Sequence, residues 1–145
     1  MTKEEKVTLV KYRLERSNES LEAATLMFEN KLYIPAMNRI YYSMFYAVQA
    51  LLILKESSFS KHGQVKGFFN KKFIKAGVFP KEFGKLFNAA FEYRQKFDYV
   101  DLIIPEEQLI SDYISKAKSF IEKLSEYILH STVAGNKKTA QAVII

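Results

Sequence analysis

From Ile40 to Leu54 the chain carries no charged residue, and its apolar positions recur at helical spacing. Met37, Tyr41, Met44, Val48, Leu51 and Leu52 form one face, which Ile40, Phe45, Ala47 and Leu54 widen. A helix that is apolar on most sides is expected to be buried on most sides. That fate requires further helices to cover it. The run is shorter than the roughly 18 residues expected of a membrane span, so it reads as a buried helix and no membrane is implied. Only a narrow polar stripe remains on it: Asn38, Arg39, Tyr42, Tyr46 and Gln49.

The rest of the chain supplies the covering helices. A first helix is expected from Lys3 to Asn30, with Thr2 as its cap and Glu4 and Glu5 facing the positive helix end. Val7, Val10, Leu14, Leu21, Ala24 and Phe28 make its apolar stripe. The central helix is expected from Pro35 to Glu56. A serine-rich loop leads to a third helix from His62 to Ala76, stopped by Gly77. Pro80 opens a fourth that reaches Phe97, with Phe83, Leu86, Phe87, Ala90 and Phe91 as its apolar face. After a connector from Asp101, Pro105 starts a fifth helix expected to end at His130. No alternating strand pattern competes with this reading. The expected fold is therefore all-α: a single up-and-down bundle of about five helices over residues 1–130, followed by a tail over 131–145.

The 145 residues suit one domain, and no linker or repeat divides them. The absence of cysteine excludes disulfides and thiolate metal sites and fits a reducing cytoplasm, the expected location. Met1 to Arg16 is charged throughout, so no secretory leader is expected there. The net charge of +6 suits an acidic partner such as RNA or an acidic protein face. Much of that charge is concentrated. Between Lys61 and Lys85, Lys61, Lys66, Lys71, Lys72, Lys75, Lys81 and Lys85 stand against Glu82 alone. Such a run is also what a solvated helix face looks like. The 12 Phe and 9 Tyr are a heavy load for a small domain, and surplus apolar surface points to an interface, here a dimer.

No phosphate loop, dinucleotide turn or paired-histidine metal helix occurs, and neither a metal nor a cofactor is expected. His62 and His130 lie far apart, and each reads first as a residue of a helix end. Two clusters are less ordinary. In the run Asn38 to Phe45, Arg39 stands in an apolar helix with Tyr42 and Tyr46 on its own face. A buried charge needs a partner. Either an acid across the bundle pairs with it, or it joins the two phenols in holding a phosphate or stacking a base. In the run Tyr93 to Tyr99, Arg94 and Asp98 are at pairing distance on a helix and Tyr99 follows. That group either orients a ligand or pins the helix to its neighbours.

These clusters carry a resemblance. Asn38-Arg39-Ile40-Tyr41-Tyr42-Ser43-Met44-Phe45 is similar to the second helix of HEPN domains, and Arg94 through Asp98-Tyr99 to the later signature of that family. Ser60-Lys61-His62-Gly63-Gln64-Val65 resembles a loop that often carries a histidine there. The resemblance spans roughly residues 5 to 130. It implies a helical bundle that forms a homodimer and works beside a small nucleotidyltransferase-fold protein, as toxin and antitoxin or as binding and catalytic subunits. It also implies that active members pair an arginine, matched by Arg94, with a histidine that follows after four to six intervening residues. Here that window holds Tyr99, Val100 and Asp101 and nothing that titrates near neutrality. A phenol with a pKa near 10 is a poor base at pH 7.

The expected function is a non-catalytic nucleotide- or RNA-binding dimer with ligand-binding residues Arg39, Tyr42, Tyr46, Arg94, Asp98, Tyr99 and His62. Two other readings stand beside it. One is a ribonuclease toxin whose missing histidine is replaced by Asp98, Tyr99 or His62. The other is a purely structural interaction module.

Overall fold

The computed structural model describes residues 1–57 and 59–135, the last four of these by their backbone. Its elements in chain order are α1 (Lys3–Glu29), α2 (Tyr33–Leu54), α3 (His62–Phe69), a π-helical turn (Asn70–Ile74), α4 (Lys81–Tyr99) and α5 (Glu107–Gly135). No strand occurs among the described residues. The all-helical expectation holds.

α1 starts on a capping box. The Glu5 amide donates to Thr2 Oγ1 at 3.0 Å, and the Thr2 amide donates to Glu5 Oε2 at 3.0 Å. Two otherwise orphaned donors of the first turn are thereby satisfied. Lys31, at φ +60, reverses the chain so that α2 packs back along α1. Small residues let these helices approach closely. Ser17 Oγ donates to the Ser43 carbonyl at 2.6 Å, and Ser43 Oγ donates to the Ile40 carbonyl at 2.6 Å.

α2 is the axis of the molecule: α1, α3, α4 and α5 all pack on it. From Met37 to Ile53 most of its side chains are buried, as its apolar circumference requires. It begins two residues earlier than expected, with Pro35 inside its first turn, and ends two earlier.

α3 differs more from expectation. The regular helix ends at Phe69, and Asn70–Ile74 continues as a π-helical turn. Gly77 at φ +80 then stops the segment, as its position predicted. α4 passes close to this turn. A Cβ on Gly84 would lie 2.9 Å from Asn70 Oδ1, so a larger residue there would turn the Asn70 side chain aside. α5 runs past His130, its expected end, to Gly135. The final residues, 136–145, of the expected tail lie outside the described residues.

The phenylalanines go largely inward. Phe69, Phe73, Phe87 and Phe120 are fully buried and form a connected set of rings. Each such side chain contributes about 1.5–3 kcal/mol by leaving water. The aromatic load therefore explains the core before it explains any interface.

Candidate functional site

The N-terminal half of α2 meets α4 at the rim of this core, and most of the sequence-predicted site residues come together there. Tyr42 is half-buried. The Arg94 guanidinium carbon lies 5.2 Å from its ring centre, and that of Arg39 lies 5.1 Å away. Two cations thus share one phenol ring, a contact that favours guanidinium over ammonium because the flat group stacks. Arg94 also lies 5.7 Å from the ring of Tyr41.

One acid and one amide hold the pair. Arg94 Nε is 3.7 Å from Asp98 Oδ2. Asn38 Nδ2 donates weakly to the same oxygen at 3.4 Å. Asn38 Oδ1 accepts from Arg39 Nε at 3.1 Å and from Nη2 at 2.7 Å. The order is Arg39, Asn38, Asp98, Arg94: two guanidinium groups linked through one carboxylate, net positive. The acid sought for Arg39 across the bundle is not what holds it; its neighbour Asn38 and Tyr42 do. Arg94 Nε remains buried without a hydrogen-bond partner, because the Asp98 oxygen is too distant.

His62 sits beneath this pair. Its ring lies flat on Phe91, centroids 3.6 Å apart and planes at 4°, and its Nδ1 is 2.8 Å from the Tyr41 hydroxyl. Its Nε2 is buried without a partner. Burial, then the charges of Lys66 and Arg94, push the imidazole pKa down to about 4. Burial likewise drives the Tyr41 phenol well above its ordinary value. Both groups are neutral at physiological pH. His62 is a half-buried histidine packed on Phe91 rather than a helix cap, since the cap of α3 is Lys61.

Two expected members do not contact Arg94 directly, though the Tyr46 ring lies 5.9 Å from that of Tyr42. Tyr46 accepts a hydrogen bond from Arg16 Nη2 at 3.1 Å, and the Arg16 guanidinium lies 5.1 Å from its ring. That bond makes Arg16 hold its proton more tightly. Tyr99 is 74% exposed. His130 is exposed on α5. Sequence reasoning missed Arg16, the Asn38–Asp98 bridge and the Tyr41–His62 bond. Each joins residues on different elements, so no local spacing marks it. No cluster of three or more potential metal ligands occurs among the described residues.

Residues 10–127 match the family model of the HEPN domain. The chain belongs to the HEPN domain family. Its similarity to other proteins agrees. A "UPF0332 protein" of Thermotoga maritima is 42% identical over 86% of this chain and 94% of its own length. "Putative toxin MJ0142" of Methanocaldococcus jannaschii is 35% identical over 83% of this chain and 82% of its own length. A second protein of that organism, "Putative toxin MJ0605", is 32% identical over 78% and 84% respectively. In this HEPN chain Arg94 occupies a packed, charged rim. The residues after it, Tyr99, Val100 and Asp101, are exposed and carry no imidazole. No helix among the described residues is long and apolar enough to cross a membrane.

Proposed function

We propose that this HEPN chain binds a nucleotide or RNA phosphate at Arg94 and Arg39 without cleaving it. We further propose that it does so as a homodimer, in a toxin–antitoxin-like pair with a nucleotidyltransferase-fold protein. The observation that carries the reading is the state of Arg94. Its guanidinium is positioned against Tyr42 beside a second guanidinium. Phosphate oxygens meet such donors at short range, and the phenol ring offers a base a stacking surface. The relatives named as toxins support the setting. The exposed Val100, Leu102 and Ile104 after α4 support a partner-covered face.

Proton transfer is the missing ingredient. A general base works best with a pKa near the operating pH, and His62, at about 4, is far below it. A ribonuclease reading through His62 gains from its unpartnered Nε2 and from its proximity to the Arg94 charge. Its stacking on Phe91 and its bond to Tyr41 argue the other way.

The test is thermal unfolding with ATP, AMP or a short RNA added. Stabilisation of the wild type that disappears in Arg94→Ala supports the reading, whereas equal stabilisation of both proteins rejects it. Sedimentation at micromolar concentration should show a dimer, and monomer alone would contradict that part.

A further inference from the structure

Another cation stands on the same stripe of α2, one turn beyond the Arg94 pair. From Asn38 to Ile53 the side chains of α2 are buried except Asn38, Arg39, Tyr42 and Tyr46, which are half-buried. α1 and α4 both pack on α2 but not on one another, and each reaches onto this stripe with one guanidinium. Arg94 of α4 lies 5.2 Å from the Tyr42 ring centre, the Tyr42 and Tyr46 rings are 5.9 Å apart, and Arg16 of α1 lies 5.1 Å from the Tyr46 ring centre. Guanidinium and phenol groups thus run in one contiguous row, with Arg39 beside its first ring.

The Arg16 end of the row has donors to spare. Arg16 Nη2 donates to the Tyr46 hydroxyl oxygen at 3.1 Å. A guanidinium carries five N–H donors, and a phenol that accepts a bond keeps its own proton to give. Among the described residues no ion pair claims Arg16, and no hydrogen bond takes the Tyr46 proton. Asp98, the acid of the row, is engaged at the other end by Arg94 and Asn38. Glu19 favours the Arg16 charge without pairing with it. Donors on two adjoining side chains suit an anion with several acceptor oxygens, and phosphate is one that guanidinium recognises well.

We propose that Arg16 and Tyr46 form a second phosphate subsite, so that the row holds a single-stranded oligonucleotide by two separated phosphodiesters. The inference rests on the reading of Arg94 as an anion site and names the ligand class of that site. Spacing favours a single strand. The two phenol rings are 5.9 Å apart, wider than the roughly 3.4 Å step of a stacked double-helical strand. Bases of an unstacked strand lie on rings or on guanidinium planes, and this row offers both.

The experiment is calorimetry on the full chain with AMP, ATP and tetra-adenylate RNA. Tetra-adenylate should bind about tenfold more tightly than AMP, the value of one further charge-assisted contact. It should also bind more tightly than ATP, whose charges are crowded at one point. Arg16→Gln should cost tetra-adenylate about tenfold and AMP far less. It should also lower the salt slope of tetra-adenylate binding by about 0.7, the share of one phosphate contact on a single strand. Tyr46→Phe keeps the ring and should show a smaller loss, which tests the subsite if Arg16→Gln does not fold. Lys72→Ala, on the exposed side of the π-helical turn, should match wild type. AMP binding with no gain for tetra-adenylate, or with ATP its equal, would overturn the second subsite and leave the Arg94 reading standing. So would an unchanged salt slope in Arg16→Gln, or a loss in Lys72→Ala as large as in Arg16→Gln. No binding of any of the three ligands would sink both readings.

Discussion

Arg94 and Tyr99 stand little more than one turn apart on α4, yet their surroundings are opposite. The Arg94 side chain is 17% exposed and held among Tyr41, Tyr42 and Asp98. Tyr99 is 74% exposed and Leu102, just beyond it, is 100% exposed. The fold thus builds a cation into the rim of its core and leaves the following positions outside any packed structure. Phosphate binding needs only a positioned charge. Cleavage needs, in addition, a proton-transfer group held in place. On the proposed reading Arg94 supplies the first, and the exposed positions that follow it do not supply the second.

The sharpest contrast is in stability. Tyr41→Ala removes a buried ring that contacts Phe87 and Phe91 and binds His62, and should destabilise by about 3–5 kcal/mol. Tyr99→Ala, on the exposed side of the comparison, should stay within about 0.5 kcal/mol of wild type. Urea unfolding of both proteins measures the difference, and similar midpoints would erase it.

Next comes ligand affinity. Arg94→Ala should weaken nucleotide binding about tenfold or more in calorimetry, the value of one lost charge-assisted hydrogen bond. Arg39→Ala should weaken it less, because Arg39 already donates twice to Asn38. A larger effect at Arg39 would move the centre of the site.

The half-buried His62 gives a pH signature. His62 in the folded chain titrates at about 4, below its ordinary value of 6.5. As pH falls through 6.5 the unfolded chain takes up the proton first. Stability from this group is thus complete above pH 6.5 and declines toward pH 4. The slope of unfolding free energy over that interval should be shallower in His62→Phe than in wild type. Equal slopes would mean that His62 is not held neutral.

The smallest effect is expected at Asp98. The Arg94–Asp98 pair is loose at 3.7 Å and lies near solvent. Asp98→Asn should alter stability by about 0.5 kcal/mol at most. It should also strengthen anion binding slightly by freeing Arg94, a change that nucleotide titration would register as a modest drop in Kd.

The bundle was legible because its signals are local. The uncharged run from Ile40 to Leu54, the Thr2 cap and the Gly77 stop each act through neighbours in sequence. The π-helical turn at Asn70–Ile74 was not legible, because the run Val65 to Ile74 keeps an apolar helical spacing and no glycine or proline marks the change. The continuation of α5 to Gly135 also escaped, since no glycine or proline follows His130 closely and only a basic residue suggested an end. At the site, the Arg94–Asp98 pairing was readable from helical spacing. Arg39 and Tyr42 were readable as a pair for the same reason. The bond from Arg16 to Tyr46 was not, because Arg16 reaches it from α1. Nor was the partnership of His62 with Tyr41, which spans the loop between α2 and α3.

The most direct test of a site that binds without cleaving is a metal-free assay on mixed RNA substrates. Wild type, Arg94→Ala, His62→Ala and Tyr99→His are run side by side. The account predicts no turnover by wild type, Arg94→Ala or His62→Ala, with any gain confined to Tyr99→His, where an imidazole joins the arginine. Strong cleavage by wild type that vanishes in Arg94→Ala would contradict it, and its loss in His62→Ala as well would assign the proton transfer to the buried histidine.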